Sequence, residues 1–377
     1  MKCIDEVSAE ELREKRVLLR SDFNVPLSMS GEVADVFRLQ RGWETVRYLS
    51  EHGAKVIVVS HMGKSEDSLA SVGRALKQFG SVVFIPDIVG PVAQQAVASM
   101  HSGEIALLEN LRRDPREKEN DEGFTRELAA LADVYVDDAF AAMHRAHASI
   151  VGVPKLLPSY CGLLVRDEVE QLKRARAPEN PSFAILGGAK FETKAPLIKS
   201  LLENYGHLFI AGALANDVFK ARGMEVGVSL ISKELPSQDI LSNPRFIAPV
   251  DVTVERPDKQ ARVKKAEEVA ADEKIVDTGP DSIAHIAPLL AEAKFILWNG
   301  PTGLYEGGYV SWTHAIAELI EKAVANGAHA VIGGGDTIAA IQESGVPEDR
   351  LGFLSTGGGA MLEYLLKGTL PGIEALS

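Results

Sequence analysis

Short apolar runs alternate with longer amphipathic segments in the first half of the chain. The runs are rich in β-branched residues and lie at 16–22, 55–60, 82–86, 104–110 and 134–140. The segments between them, for example 38–53 and 121–133, have their apolar residues at helical spacing. Near-continuous apolar strands that alternate with helices are typical of βαβ units around a buried parallel sheet. The pattern therefore predicts a doubly wound α/β domain.

The same rhythm begins again after residue 180, with apolar runs at 182–188, 207–212, 245–254, 294–300 and 329–335. Between the two sets lies "GLLVRDEVEQLKRARAPENP" (162–181), which has helical spacing and ends in a Pro/Asn turn. An ordinary solvated helix would have this pattern, but the position between two complete sheets favours an interdomain helix. A length of 377 residues suits two domains of about 150–200 residues each.

We therefore predict two doubly wound parallel-sheet (Rossmann-like) domains joined by an interdomain helix. The predicted limits are 1–165 for the first domain, 166–181 for the connecting helix and 182–360 for the second domain. A C-terminal tail, 361–377, is expected to pack back on the first domain. In an open parallel sheet, ligands bind beyond the carboxyl ends of the strands, so the residues just after each apolar run are the candidates for function.

Composition and charge exclude several classes of protein. With 46% hydrophobic and 25% charged residues, the chain has the composition of a globular protein. The formal net charge of −13 argues against a nucleic-acid or anionic-membrane partner, because either needs a basic face. Cys3 and Cys161 are too few for a disulfide framework, and no run of about 18 apolar residues occurs. We expect a cytoplasmic protein without a signal segment.

The residues that follow the strands of the first half are mostly hydrogen-bond donors or cations. The set consists of Arg38, at the start of the first helix, and of Asp22, Asn24, His61, Lys64, Arg112, His144, Arg145 and His147. Guanidinium groups form forked hydrogen bonds to phosphate and carboxylate oxygens, and histidines can donate to the same oxygens. A local basic set of this kind in an acidic protein predicts a site for a small, multiply charged anion.

The segment "YVDDAFAAMHRAHASIVG" (135–152) leaves three interpretations open. His144 and His147 lie at HxxH spacing and could complete a zinc or iron site with the aspartates at the strand end. Arg145, between the two histidines, would repel a cation and favours a bound anion. The aspartates could also only cap backbone groups and form ion pairs.

Glycine-rich turns follow the strands of the second half, at 186–194, 299–308, 333–337 and 355–363. Without a Cβ, backbone amides can approach phosphate oxygens closely, and a helix N-terminus adds its dipole. Four such turns in one domain indicate a nucleotide site. The only GK[ST] sequence, at 63–65, lacks the first glycine of a Walker A loop, and no GxGxxG follows the first strand. Two domains with different anion sites suggest phosphoryl transfer.

Eight motifs occur in order along the chain: "RSDFNVPL", "ENLRR…KEND", "DVYVDDAF…HRAHAS", "LGGAK…K", "DTGPDS", "WNGPTGLYE", "GGGDT" and "STGGGAMLE". Together they closely resemble the phosphoglycerate kinase family, and the resemblance extends over essentially the whole chain, to the terminal "LPGIEAL". It implies the family's reaction in glycolysis and gluconeogenesis. In that reaction a phosphoryl group passes reversibly from 1,3-bisphosphoglycerate to ADP, giving 3-phosphoglycerate and ATP, with Mg²⁺ as cofactor.

The resemblance also implies site residues, each at a position that matches a family motif. The acid-substrate site would contain Asp22, Phe23, Asn24, Arg38, His61, Met62, Gly63, Lys64, Arg112 and Arg145. The nucleotide site would contain Lys194, Gly212, Pro301, Glu306, Gly334, Gly335, Asp336 and Thr337. Asp336 would hold Mg²⁺ through the nucleotide, and catalysis would depend on Arg38, Lys190, Gly335 and Gly358. The expected protein is a monomer whose two domains close by a hinge motion on small-molecule substrates.

The sequence departs from the family pattern at several motifs. Lys64 in "HMGKSED" replaces the usual arginine, and "DVFR", "AAMHRAHAS" and "KFETK" replace "DDTR", "GTAHRAHAS" and a sequence like "KVSDK". We expect these changes to alter substrate affinity more than the type of reaction, because Lys190, Asp336 and Arg38 are retained. Two other hypotheses stay open, a family member that binds nucleotide without turnover and an α/β oxidoreductase. The absent dinucleotide fingerprint argues against the oxidoreductase.

Overall fold

The computed structural model describes all 377 residues and divides them into two compact units. Unit 1 contains residues 1–170 and 369–377, and unit 2 contains residues 171–368. The division lies inside one continuous helix, Leu163–Arg176, and therefore falls a few residues beyond the predicted end of the first domain.

The segment that returns to unit 1 is shorter than the predicted tail. Its expected first residues belong to the helix Gly359–Lys367, which packs on the helix Phe191–Asn204 of unit 2. In unit 1, the amide of Gly372 donates to the carbonyl oxygen of Met143 at 2.9 Å. The returning segment therefore hydrogen-bonds to the loop that contains the HxxH sequence.

The strands mostly coincide with the apolar runs of the sequence. They are β1 Arg16–Ser21, β2 Lys55–Val59, β3 Val83–Ile85, β4 Ile105–Leu108, β5 Val134–Asp138, β6 Ser159–Cys161, β7 Ser182–Leu186, β8 His207–Ile210, β9 Phe246–Ile247, β10 Asp251–Glu255, β11 Ala261–Lys265, β12 Lys274–Thr278, β13 Phe295–Asn299, β14 His329–Gly333 and β15 Phe353–Ser355.

Helices connect most of these strands. They are α1 Ala9–Leu12, α2 Phe37–Glu51, α3 Ala70–Leu76, α4 Pro91–Ala98, α5 Arg116–Glu119, α6 Glu122–Ala129, α7 Leu163–Arg176, α8 Phe191–Asn204, α9 Ala213–Ala221, α10 Gln238–Leu241, α11 Pro280–Glu292, α12 Ser311–Ala325, α13 Gly335–Gln342, α14 Gly359–Lys367 and α15 Pro371–Ala375. None of them combines the length and the apolar composition needed to cross a bilayer.

Unit 1 is built on a parallel sheet of six strands in the order β3-β4-β2-β1-β5-β6. Strand β1 pairs with β2 on one side and with β5 on the other, so the chain winds away from β1 in both directions. Val17, Leu18 and Leu19 of β1 are fully buried, as expected for a strand with helices on both faces of its sheet. Strand β6 was not predicted, because its three residues form no apolar run.

Unit 2 repeats this plan with a parallel sheet in the order β15-β14-β13-β7-β8-β9. Strand β7 pairs with β13 and with β8, and is therefore the point from which the chain winds in both directions. The predicted fold class, α/β with two doubly wound parallel sheets, is confirmed.

A third sheet, antiparallel and in the order β11-β10-β12, lies in unit 2 and was not predicted. The prediction of one strand over 245–254 is wrong, because β9 joins the parallel sheet and β10 joins the antiparallel one. Pro249 lies between them and has no amide for a strand ladder. Strand β11 is charged and mostly exposed, so its sequence contains no apolar signal.

Candidate active site

The basic residues of unit 1 are assembled at the carboxyl edge of its parallel sheet. Residues 22–24 follow β1, residues 61–64 follow β2, Arg112 follows β4 and Arg145 follows β5. Because these strands are parallel, their carboxyl ends lie on the same edge. Arg38, in the first turn of α2, reaches this edge as well, since its Nη1 donates to a carbonyl oxygen of the loop after β1 at 3.0 Å.

Hydrogen bonds between the loops fix their relative positions. Asn24 Oδ1 accepts from the amide of Gly63 at 2.9 Å, and Arg112 Nη1 donates to the carbonyl oxygen of Gly63 at 2.7 Å. The buried Asn110 side chain accepts from the amide of Met62 at 3.0 Å and donates to three carbonyl oxygens of the same loop. The loop after β2 is therefore held from the loop after β1 by Asn24, and from the segment after β4 by Asn110 and Arg112.

Arg38 and Asp22 form an ion pair at this edge, with 3.4 Å between Nη1 and Oδ2. The Asp22 side chain is buried, whereas 27% of the Arg38 side chain stays exposed. A guanidinium has five N–H donors, so Arg38 keeps donors for an anion after these contacts. Phe23 and Met62, in contrast, are buried and shape the site through packing.

Arg20, a buried arginine inside β1 that is only 1% exposed, was not among the predicted site residues. Its Nε donates to Ser149 Oγ at 3.0 Å, and its Nη1 donates to the carbonyl oxygen of Ser21 at 2.5 Å. Its Nη2 lies 3.0 Å from Nδ1 of His61. Ser149 Oγ also donates to the buried carboxylate of Glu117 at 2.6 Å. The signal that could have found this group is an arginine inside an apolar run, because a buried cation requires partners.

Like charges are crowded at this edge of unit 1. Burial lowers the pKa of Arg112, and the neighbouring Arg145 and Arg20 lower it further. Burial and the same guanidinium groups hold the pKa of His61 well below its ordinary value and lower the pKa of His147 to about 4. Both imidazoles are therefore neutral at pH 7. The positive charge of the site comes from the arginines and from Lys64, and a multiply charged anion would offset it.

The two aspartates at the end of β5 cap backbone groups. Asp137 Oδ1 accepts from the amide of Ala139 at 3.0 Å, and Asp138 Oδ1 accepts from the amide of Val165 at 3.2 Å. Burial raises the pKa of Asp137 to about 7 and that of Asp138 to about 8. No group of three or more His, Cys, Asp or Glu side chains in the chain is arranged to hold a metal ion. The structure therefore offers no support for a metal site in the HxxH segment.

At the glycine-rich turns of unit 2, the backbone segments of different turns approach each other closely. After β7, β8 and β13 the chain passes through Gly188, Gly212 and Gly300, whose φ angles are +87°, +61° and +94°. A Cβ on Gly300 would lie 2.5 Å from the carbonyl carbon of Gly187, so only glycine fits there. Gly358, after β15, has a φ of +45° and open space around its Cβ position. The turns after β7, β8, β14 and β15 lead into α8, α9, α13 and α14, whose N-terminal amides can bind anions.

Two lysines lie at the first of these turns. Lys190, with a φ of 66°, is exposed at the N-terminus of α8. Lys194, one helical turn later, donates from Nζ to the carbonyl oxygens of Gly187 and Ala189 at 3.2 and 3.1 Å. Burial lowers the pKa of Lys194, and the nearby Asp336 acts in the opposite direction. The Lys190 ammonium is thus open to solvent, whereas the Lys194 ammonium is held against the turn.

The turn after β14 combines open backbone with a carboxylate. Gly334 has a φ of +102°, and a Cβ on Gly335 would meet nothing within 4 Å. Asp336 is exposed in the first turn of α13. Thr337 is buried, and its Oγ1 accepts from the amide of Gly300 at 2.8 Å. The threonine therefore connects this turn to the turn after β13.

A cavity of about 310 Å³ lies in unit 2 next to these turns. Of the predicted nucleotide residues, those that line it are Gly212, Pro301, Glu306 and Asp336. Those that do not line it are Lys194, Gly334, Gly335 and Thr337, and the same is true of Lys190 and Gly358. Its apolar lining was not predicted and includes Leu230, Ile275, Val276 and Leu304. The motif "DTGPDS" contributes Asp277, whose pKa burial raises to about 7, and Thr278. An apolar cavity bordered by glycine turns and a few charged groups is typical of a small-molecule site.

Comparisons with known proteins point to one family. Residues 5–368 match the family model described as phosphoglycerate kinase. The chain is 41% identical to the phosphoglycerate kinase of Moorella thermoacetica and 42% identical to that of Thermomicrobium roseum, with 97% of each chain covered in both cases. A solved phosphoglycerate kinase structure from Coxiella burnetii is 34% identical, with a TM-score of 0.82 over 99% of this chain and 98% of that one. A second, from Pyrococcus horikoshii, is 30% identical, with a TM-score of 0.86 over 100% and 98%.

Proposed function

This chain belongs to the phosphoglycerate kinase family, and from that membership we propose how its two units divide the reaction. The activity is the reversible transfer of a phosphoryl group from 1,3-bisphosphoglycerate to ADP, which gives 3-phosphoglycerate and ATP. It is a phosphotransferase reaction with a carboxyl group as acceptor in the reverse direction. The observation that carries the assignment of roles is that the arginine cluster and the glycine turns occur on different sheets.

Unit 1 is proposed to bind the acid substrate at the carboxyl edge of its sheet. Arg38, Arg112 and Arg145 supply positive charge and forked donors, which suit a molecule that carries both a carboxylate and a phosphate. The neutral His61 supplies a further donor. Asn24 contributes mainly by holding the loop after β2, because its side-chain oxygen is already bonded to the amide of Gly63.

Unit 2 is proposed to bind the nucleotide. The apolar part of the cavity suits the base, and Glu306 in the lining can accept hydrogen bonds from ribose hydroxyl groups. The glycine amides at the N-termini of α8, α13 and α14 suit the phosphates. Asp336 is exposed and lines the cavity, so it fits a Mg²⁺ ion that is also bound by phosphate oxygens and water. When bound, that ion would neutralise phosphate charge.

The transfer itself is proposed to need no covalent enzyme intermediate. A β-phosphate oxygen of ADP attacks the acyl phosphate, the phosphorus–oxygen bond to the carboxyl group breaks, and the carboxylate leaves. Lys190, whose ammonium is exposed at the start of α8, and Arg38 are proposed to neutralise charge on the equatorial oxygens, together with the amides of Gly335 and Gly358.

We further propose a monomer that acts in the cytoplasm on small molecules. One chain carries both the acid site and the nucleotide site, so no residue from a partner is required. Two cysteines, Cys3 and Cys161, are too few for a disulfide framework, which suits a reducing compartment. Because the transfer needs both substrates in contact and water excluded, a hinge motion about α7 is proposed to accompany binding.

A steady-state assay with 3-phosphoglycerate, ATP and Mg²⁺ tests the proposed function. We expect turnover that requires all three components, with 1,3-bisphosphoglycerate detected by a coupled reduction. Nucleotide binding by calorimetry without any turnover would instead support the hypothesis of a family member that only binds.

A further inference from the structure

A buried chain of hydrogen bonds runs through unit 1 from Glu117 to His61. Glu117 is fully buried and accepts from Ser149 Oγ at 2.6 Å and from the amide of Ser149 at 2.9 Å. Arg20 Nε donates to the same hydroxyl at 3.0 Å, and Arg20 Nη2 lies 3.0 Å from His61 Nδ1. The chain thus ends on a residue of the acid site, whereas its other members were not assigned to that site.

The chemistry of these groups fixes the direction of each hydrogen bond. A guanidinium has donors only, so Ser149 Oγ must accept from Arg20 and give its own hydrogen to Glu117. For the same reason His61 Nδ1 must accept from Arg20 Nη2, and Nδ1 therefore carries no hydrogen. A neutral imidazole with a bare Nδ1 carries its hydrogen on Nε2.

The other group near His61 Nδ1 is Asp22. Its Oδ1 lies 3.7 Å away, which is too long for a hydrogen bond, and it accepts from the amide of Asn24 at 3.3 Å. A hydrogen on Nδ1 would point at the N–H groups of Arg20. His61 is 4% exposed, so water would not relieve that conflict. Burial and the neighbouring arginines lower the pKa of His61, in agreement with a neutral ring.

We propose that Glu117, Ser149 and Arg20 are positioning residues that hold His61 in the Nε2–H tautomer, so that it meets the acid substrate as a neutral hydrogen-bond donor. The inference rests on the proposed acid-binding role of unit 1. No group of the protein accepts a hydrogen bond from His61 Nε2, so this donor is left for a ligand. A neutral donor adds direction to a site in which arginines already supply the charge.

The tautomer can be observed by NMR in the ligand-free protein with ¹⁵N-labelled histidine. Only the ring nitrogen that carries the hydrogen shows a one-bond coupling to it. We expect the His61 resonances, assigned by their loss in His61→Gln, to show the hydrogen on Nε2 alone at about pH 7. A hydrogen on Nδ1, or on both nitrogens, would overturn the proposal.

Ser149→Ala removes the hydroxyl that accepts from Arg20 Nε, so the guanidinium can turn away from His61 Nδ1, while Arg20 and Glu117 both stay in the chain. We expect a mixture of His61 tautomers and a KM for 3-phosphoglycerate about tenfold higher, the factor that corresponds to about 1.4 kcal/mol, with an unchanged KM for ATP. Ser149→Thr keeps the hydroxyl and should restore both properties. The matched control is Ser50→Ala, which removes a hydroxyl bonded to Gly103 O at 2.6 Å elsewhere in unit 1 and should change neither. A single Nε2–H tautomer with unchanged KM in Ser149→Ala would contradict the proposal.

If Ser149→Ala does not fold, Glu117→Gln weakens the same chain, because an amide oxygen can still accept from Ser149 without the charge. The same two measurements then apply, with the same expected directions. The outcomes also separate this inference from the proposed function. An Nε2–H tautomer without turnover supports the tautomer assignment and contradicts the proposed function. Turnover with the hydrogen on Nδ1 contradicts this inference alone.

Discussion

The two units present different chemistry at the same place, the carboxyl edge of a parallel sheet. Unit 1 presents side chains, with Arg38, Arg112 and Arg145 around a loop that other side chains hold in position. Unit 2 presents backbone, with glycines such as Gly188 and Gly334 at positive φ before the N-termini of helices. One site is thus built mainly from cations and the other mainly from amides.

This difference determines how each site responds to substitution. A side-chain site can change one group at a time, because the scaffold below it stays in place. The backbone site tolerates less change where two turns approach each other, because at Gly300 a single added Cβ would lie 2.5 Å from another backbone atom. The replacement of the family's arginine by Lys64 falls in unit 1, where such a change keeps both the charge and the fold.

Gly300→Ala should have the largest effect, because it places a Cβ where two backbone turns of unit 2 are in contact. We expect a loss on the order of 4 kcal/mol in the free energy of unfolding, from the left-handed φ and the contact with Gly187. Denaturant unfolding measures it. Gly335→Ala is the matched control, because its Cβ would meet nothing within 4 Å, and its stability should stay within about 0.5 kcal/mol of the parent. Equal stability of the two variants would contradict the claim that close backbone contact at Gly300 restricts substitution.

Lys190→Ala tests the side chain on which the backbone site depends. We expect kcat to fall by about 10²–10³, the scale on which a preorganised electrostatic donor contributes, while the affinity for ADP changes much less. Steady-state kinetics and calorimetry measure the two quantities. Lys199→Ala, at an exposed position of the same helix, should be near normal. A near-normal kcat in Lys190→Ala would show that the lysine is misassigned.

Asp138→Asn probes the buried carboxyl groups under the side-chain site. Because the folded pKa of Asp138 is raised to about 8, the folded state keeps a proton that the unfolded state loses above about pH 4. Stability should therefore fall as the pH rises from about 4 to about 8, with a slope of up to about 1.4 kcal/mol per pH unit from this group. Asp138→Asn should lower the slope by this contribution in denaturant unfolding at about pH 5 and pH 8.

Asp133→Asn is the matched control for this pH dependence. The Arg16 guanidinium bonded to Asp133 holds the pKa of that carboxyl below its ordinary value, so any stability it contributes is lost only at lower pH. The slope between about pH 5 and pH 8 should not change in this variant. An Asp138→Asn variant with the slope of the parent would mean that the buried carboxyl is ionised throughout this range.

Lys64→Arg should have the smallest effect, because it adjusts one cation of the side-chain site. Lys64 is exposed and its ammonium forms no ion pair; the neighbouring Asp67 accepts from the Lys64 amide, and Glu66 accepts from Ser65 Oγ. An arginine fork should restore about one well-aligned charged hydrogen bond, near the lower end of 1.5–3 kcal/mol at a wet site. We expect a KM for 3-phosphoglycerate severalfold lower with kcat nearly unchanged. A KM that stays the same or rises would show a pocket adapted to lysine.

The sequence predicted most strands of the parallel sheets, because these strands are short apolar runs that can be recognised without knowledge of their partner strands. The prediction failed for strands whose place in a sheet depends on a partner strand that the local sequence does not show. The run at 245–254 divides between two sheets, and the charged strand β11 joins a sheet only through its pairing with β10.

The same limit applies to the candidate site. Residues with obvious chemistry after a strand or at the start of a helix, such as Lys190 and Arg38, were predicted from their motifs. Arg20 and Glu117 were not, because one lies inside an apolar strand and the other inside the charged run "REKEND". Their partners are distant along the chain, and Ser149 lies 129 residues from Arg20. Only the fold shows that they belong to one network.

Hydrogen exchange with one ligand at a time tests the central claim, that the side chains of unit 1 bind the acid and the backbone of unit 2 binds the nucleotide. With 3-phosphoglycerate alone, we expect slower exchange at residues 22–24 and 61–64 and no change at the glycine turns. With ADP and Mg²⁺ alone, we expect slower exchange at 187–190 and 334–337 and no change in unit 1. Protection of the same unit by both ligands, or of unit 2 by the acid alone, would contradict the account.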